Sequence, residues 1–163
     1  MYKKIMVPLD GSELAECVLP HVETFITGCQ VSTIVFVRVI ESASMAYRGS
    51  YSTGELDYGK IQENTKRIEE ERKSSAEKYL KEVVNRLKQN GVKFQTEVLA
   101  GKAADSLIDY SEANDIDLIL MATHGRSGVG RWIRGSIADR ILRDSRVPVL
   151  MVRAPGTMSE RKD

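Results

Sequence analysis

Short apolar runs punctuate the chain, and between them apolar residues recur every three or four positions. Ile5, Met6 and Val7, closed by Pro8, form the first run, and residues 33–39 (TIVFVRV) and 117–121 (DLILM) form two more. Nearly continuous apolarity over four to eight residues is the pattern of a strand covered on both faces. Residues 147–152 (VPVLMV) repeat it, with Pro148 near the start, where a strand tolerates proline. Residues 92–98 differ: Val92, Phe94, Thr96 and Val98 alternate with Lys93, Gln95 and Glu97. That period of two predicts a strand half exposed to water, at a sheet edge.

The intervening stretches read as helices. Leu14, Cys17, Val18, Val22, Phe25 and Ile26 share one helical face. Asp10 or Ser12 caps this helix, and Gly28 stops it. Residues 62–89 form a long helix in two halves. The first is charged (EEERK at 69–73) and predicted to project beyond the sheet; the second packs through Ala76, Leu80, Val83, Val84 and Leu87. Asn90-Gly91 ends it. Gly101 opens a helix with Ala104, Leu107, Ile108 and Ser111 inward, and a last helix covers 136–143. Residues 41–59 are a long loop bearing Tyr47, Tyr51 and Tyr58, suited to covering a ligand or a partner, or to packing on the solvent side. Strand–helix alternation predicts an α/β fold: a single doubly wound five-stranded parallel sheet, order 3-2-1-4-5, with helices on both faces. The alternating third strand then lies at an edge. Strands one and four become neighbours where the winding reverses, and ligands bind such sheets outside the carboxyl ends at that point.

One stretch carries candidate chemistry. Residues 121–138 (MATHGRSGVGRWIRGSIA) run from a buried strand through a glycine-rich loop into a helix. A helix start offers unpaired N–H groups and partial positive charge, so it suits an anion. Gly125, Gly128, Gly130 and Gly135 let backbone amides approach a ligand, and Arg126, Arg131 and Arg134 add donors that suit phosphate. Ser136 and Asp139 are spaced as a capping pair. The stretch is neither a P-loop, lacking G-x-x-x-x-G-K-[ST], nor a Rossmann fingerprint, since its glycines follow the fourth strand. His124 has no Ser or Cys partner tied to it in the sequence, so it reads as structural.

The spacing A122-x2-G125-x9-G135-S136 resembles the nucleotide loop of the universal stress protein family, G-x2-G-x9-G-[ST], with Ala122 in place of the first glycine. KIMVPLDGS at 4–12 and VPVLMV at 147–152 are similar to the same family. The likeness runs from Tyr2 to Arg153, which implies one nucleotide-binding domain, 1–153, and a flexible tail, 154–163. It implies an adenine nucleotide as ligand: ATP, or AMP or ADP, with or without Mg2+. The residues it points to are Pro8, Leu9, Asp10, Val39, Met121, Ala122, His124, Gly125, Arg126, Gly128, Gly135, Ser136 and Ile137. Asp10 would accept from the ribose hydroxyls, and the Val39 backbone would meet an adenine edge. Gly125, Gly135, Ser136 and Ile137 would hold phosphates, and Arg126 with Arg131 or Arg134 the terminal one. Each has a plain structural role beside this: Asp10 a turn, Val39 the core, the glycines a turn and cap. The family adds stress response and homodimerisation, expected through the apolar last strand, 147–152. Two other readings stay open: a slow ATPase or autophosphorylating enzyme, and a dimeric interaction module with a vestigial nucleotide site.

Composition narrows this further. A length of 163 residues suits one domain. With 42% hydrophobic and 29% charged residues and a net charge of +1, nothing points to nucleic acid or an anionic membrane. No run of 18 apolar residues exists, so no membrane span is expected. Cys17 and Cys29, twelve apart, lack metal-ligand spacing and read as core thiols. The start has no secretory pattern, so a cytoplasmic location is the expectation.

Overall fold

The computed structural model describes residues 2–41, 58–87, 91–123 and 137–154, with backbone alone for 58–61. Its elements are β1 (Lys4–Pro8), α1 (Glu13–Glu16), α2 (Leu19–Gly28), β2 (Thr33–Ile40), α3 (Tyr58–Arg86), β3 (Lys93–Ala100), α4 (Ala103–Ala113), β4 (Leu118–Thr123), α5 (Ile137–Asp144) and β5 (Val149–Arg153). The five strands form one parallel sheet in the order β3-β2-β1-β4-β5, as the hydrophobic pattern predicts. β3, the alternating strand, is at one edge and β5 at the other.

Two apolar layers hold helices to the sheet. On one face Ile5, Val7, Ile34, Phe36, Leu118 and Leu120 meet Ala15, Val18, Val22 and Ile26 of the α1–α2 region and Leu80, Val83 and Leu87 at the end of α3. On the other, Met6, Val35, Val37, Ile119 and Met121 meet Ala104 and Leu107 of α4 and Ile141 of α5. The strand period of two divides each strand's side chains between these layers, so central strands need apolar residues at every position.

The amino ends of the strands are pinned. The Asp117 carboxylate accepts from the Lys3 and Lys4 amides at 2.8 Å each, and the Asp117 amide donates to the Lys4 carbonyl at 2.9 Å. The Lys3 carbonyl accepts from the amides of Ser32 and Thr33.

Several boundaries move. The helix expected from Leu14 to Ile26 is two helices, α1 and α2, separated at Cys17 and Val18. Pro20 is the cause: it has no N–H to bond back to Glu16, and it stands in the first turn of α2, where that loss costs nothing. α3 begins at Tyr58, so Tyr58 and Gly59 belong to a helix and not to the loop; residues 42–57 lie outside the described residues. α3 ends at Arg86, and 88–90 lie outside the described residues as well. β5 starts at Val149 and not Val147, with the Pro148 carbonyl already accepting from Ile119. Cys17 is half-buried against the core, but Cys29 is exposed just past the end of α2, so it is no core thiol. Ala154 is buried and donates to the Thr123 carbonyl, so packed chain extends one residue into the expected tail.

Candidate functional site

β1 and β4 are paired in register only at Ile5–Leu118 and Met6–Ile119. On their outer sides the pairings run on, β1 with β2 to Pro8–Val37 and β4 with β5 to Thr123–Arg153. The two central strands therefore part before either ends, and a cleft opens at the reversal point of the sheet. β2 extends beyond β1 along one side of this cleft. The Leu9 amide donates to the Val37 carbonyl at 2.8 Å, closing the β1–β2 ladder, whereas the Ile40 carbonyl faces β3 and accepts from Gly101. Backbone groups alternate sides along a strand, so the amide and carbonyl of Val39 face the β1 side, past the last β1–β2 register pair. The Val39 side chain packs on the α4–α5 layer with Met121. Pro8 ends β1, and Leu9 is buried in the opposite layer.

Asp10 stands exposed where β1 gives way to α1. Its Oδ1 accepts from the Ser12 amide at 2.9 Å and from the Ser12 hydroxyl at 2.6 Å. Ser12 caps α1, its Oγ accepting from the Ala15 amide at 3.1 Å. Asp10 thus props the cap and does not itself cap the helix. A carboxylate has about four acceptor positions, and Ser12 engages two of them. Partial burial pushes the Asp10 pKa up; the Ser12 hydrogen bonds and the positive charge of Arg38 outweigh this and hold it below the ordinary carboxylate value.

Arg38 was not among the residues that sequence reasoning selected. It is the one charge in TIVFVRV, and its parity places it on the Ile34–Phe36 side of β2. Gly11 turns through φ +91°, and a Cβ there would stand 3.1–3.2 Å from the Arg38 guanidinium. The guanidinium carbon also lies over the Tyr79 ring, 5.1 Å from its centroid. Tyr79 donates its hydroxyl to Glu16 at 2.9 Å, and Glu16 pairs with Arg86 at 2.9 Å. Burial and the bond to Glu16 push the Tyr79 pKa up, so it stays a donor at neutral pH. An arginine inside an otherwise apolar strand was the available signal; its partner on α3 had none.

The β4 side of the cleft holds Met121, Ala122 and Thr123. Met121 is buried in the α4–α5 layer. The methyl of Ala122 packs into the opposite layer, beside Val152, away from Val39 and Met121. Ile137 opens α5 with a half-exposed side chain. Asp139, in the first turn, pairs with Arg143 at 3.3 Å. His124, Gly125, Arg126, Gly128, Gly130, Arg131, Arg134, Gly135 and Ser136 lie outside the described residues. The structure thus brings together Pro8, Leu9, Asp10, Val39, Met121 and Ala122 around the strand ends. Among the described residues no cluster of three or more His, Cys, Asp or Glu side chains suits a metal ion.

The sequence model of the Universal stress protein family matches residues 1–153. The chain belongs to that family. Universal stress protein MJ0531 of Methanocaldococcus jannaschii is 30% identical over 157 residues, covering 95% of this family member and 84% of the relative. Among solved structures, that of MJ0577 from the same organism superposes with a TM-score of 0.77 at 24% identity, covering 96% of this chain and 99% of that one. A universal stress protein in complex with cAMP gives 0.64 at 16% identity, covering 94% and 98%. A family protein from Arabidopsis thaliana with AMP bound gives 0.59 at 14%, covering 98% and 97%. At these identities the superpositions speak for the fold.

Proposed function

We propose that this universal stress protein is a cytoplasmic stress-response regulator that binds an adenine nucleotide, ATP foremost, at the parted ends of β1 and β4. The observation that carries the reading is the neighbouring exits of β1 and β2 on one side of the cleft: an ionised, exposed carboxylate at Asp10 and the β1-facing backbone groups of Val39. A carboxylate is acceptor-only and suits a ribose diol. An amide and a carbonyl side by side suit the donor–acceptor edge of adenine. The glycine loop, entered directly from Thr123, supplies the phosphate end of the same ligand on sequence grounds. Relatives of this fold in complex with cAMP and with AMP fit an adenine nucleotide. Among the described residues no helix is long and apolar enough to cross a membrane, which fits a cytoplasmic regulator.

Calorimetric titration of nucleotide-stripped protein with Mg-ATP, repeated with AMP, tests this. Micromolar binding is expected for ATP. Asp10→Ala should weaken it by roughly ten- to a hundredfold, the scale of hydrogen bonds to a charged group. No heat at millimolar ligand, or an unchanged affinity in the variant, overturns the assignment.

A second reading concerns assembly. β5 is an edge strand and Leu150 on it is 40% exposed. An apolar edge is a template for further pairing, and two copies meeting there antiparallel close it with twofold symmetry. The protein is accordingly a homodimer through residues 147–152.

A further inference from the structure

The geometry points to Arg38 as the residue that positions the Asp10–Gly11–Ser12 turn for its ligand, its guanidinium lying against Gly11 and over the Tyr79 ring. The inference rests on the nucleotide reading above and adds to it a residue outside the cleft.

Four elements close a ring around the turn. Asp10 leaves β1, Ser12 caps α1, Arg38 comes from β2, and Tyr79 comes from α3. Tyr79 returns to α1 through its bond to Glu16, one helical turn beyond the Ser12 cap, and Arg86 of α3 holds the other Glu16 oxygen. The three described atoms nearest to where a Gly11 Cβ would stand all belong to the guanidinium, at 3.1–3.2 Å. Only glycine accepts both that approach and a φ of +91° without strain. The plane matters as well as the charge. A guanidinium is flat and stacks on an aromatic face while keeping its charge; an ammonium is a compact, strongly hydrated point. Arg38 therefore rests on Tyr79, meets the turn at Gly11 and sets positive charge near Asp10. Loss of the plane lets the turn settle, and the Asp10 carboxylate loses its aim at the diol.

This is a positioning role, so the readout is discrimination and not affinity alone. For the wild type, Arg38→Gln and Arg38→Lys, the dissociation constants of ATP and of its 2′,3′-dideoxyribose analogue are measured together with hydrogen exchange at the Ser12 amide. The ratio of the two constants reports recognition of the diol. Both substitutions are expected to reduce that ratio by roughly tenfold and to speed Ser12 exchange by a similar factor, the loss of about one charge-assisted hydrogen bond. A role in packing alone would lower the melting temperature and leave the ratio unchanged. If Arg38→Gln fails to fold, Arg38→Lys decides, and a wild-type ratio and exchange rate in it overturn the proposal. If the wild type binds neither nucleotide, the proposed function fails instead, and Ser12 exchange still decides whether Arg38 holds the turn.

Discussion

Asp117 and Ala122 lie five residues apart, at opposite ends of β4, and single atoms decide what each does. At the amino end the Asp117 carboxylate accepts from the amides of Lys4 and Lys3, which hold its pKa below the ordinary value. A depressed carboxylate stabilises the fold above its unfolded pKa of about 3.9, and that contribution is lost as pH falls through the folded value. Asp117→Asn should cost about 1 kcal/mol at pH 7, an exposed site being screened by water. Urea unfolding at pH 7 and again near pH 3 checks this: the gap between variant and wild type should narrow in acid. At the carboxyl end, Ala122 departs from the glycine of the family loop. Its methyl packs with Val152 on the α1–α3 side, whereas Val39 and Met121 belong to the other. Ala122→Gly should therefore leave ATP affinity within about twofold and cost about 1 kcal/mol of stability. A tenfold gain in affinity would show instead that the methyl crowds the ligand. The strand end at Val39 and the turn at Asp10 were legible in the sequence, but their ligand roles come from the family resemblance alone. Arg38 was half legible: strand parity gives its face, but its neighbour Tyr79 is remote in the chain and invisible without the fold.

Elements show where periodicity suffices and where it does not. β3 declared itself as an edge by alternating, since one face of an edge strand meets water. The α1–α2 break did not show in the apolar spacing, because both helices keep the same face to the sheet; only Pro20 betrays it. The buried contacts of α3 with the sheet come from its last turns, while Arg72 in the charged half donates to the Glu41 carbonyl at 3.1 Å. Ala76, Leu80, Val83 and Leu87 are buried there, whereas residues 69–75 are exposed or half-exposed. Leu80→Ala should cost about 2–5 kcal/mol through the cavity it leaves, and Glu70→Ala, on the solvated half, about 0.5 kcal/mol or less. Chemical denaturation of both variants separates the two halves. Equal costs would mean that the charged half stabilises the fold as much as the buried half.

For the whole molecule the exposed edge is decisive. If β5 pairs with its copy, a charge on it should prevent the pairing, as edge charges do. Leu150→Arg is expected to sediment as a monomer at micromolar concentration where the wild type sediments as a dimer. The narrow seam between β1 and β4 has a different consequence, for synthesis. β1, β2 and β3 all come from residues 4–100, and β4 and β5 from 118–153. The layer under α1, α2 and α3 draws every fully buried member but Leu118 and Leu120 from the first 92 residues. Met6, Val35 and Val37, on the other face, wait for Ala104, Leu107 and Ile141. A chain emerging from the ribosome can thus complete one side of its sheet while the other side is still bare. For those seconds the nascent protein is a half-roofed sheet, and its second roof closes only after α5, which carries Ile141, has cleared the exit tunnel.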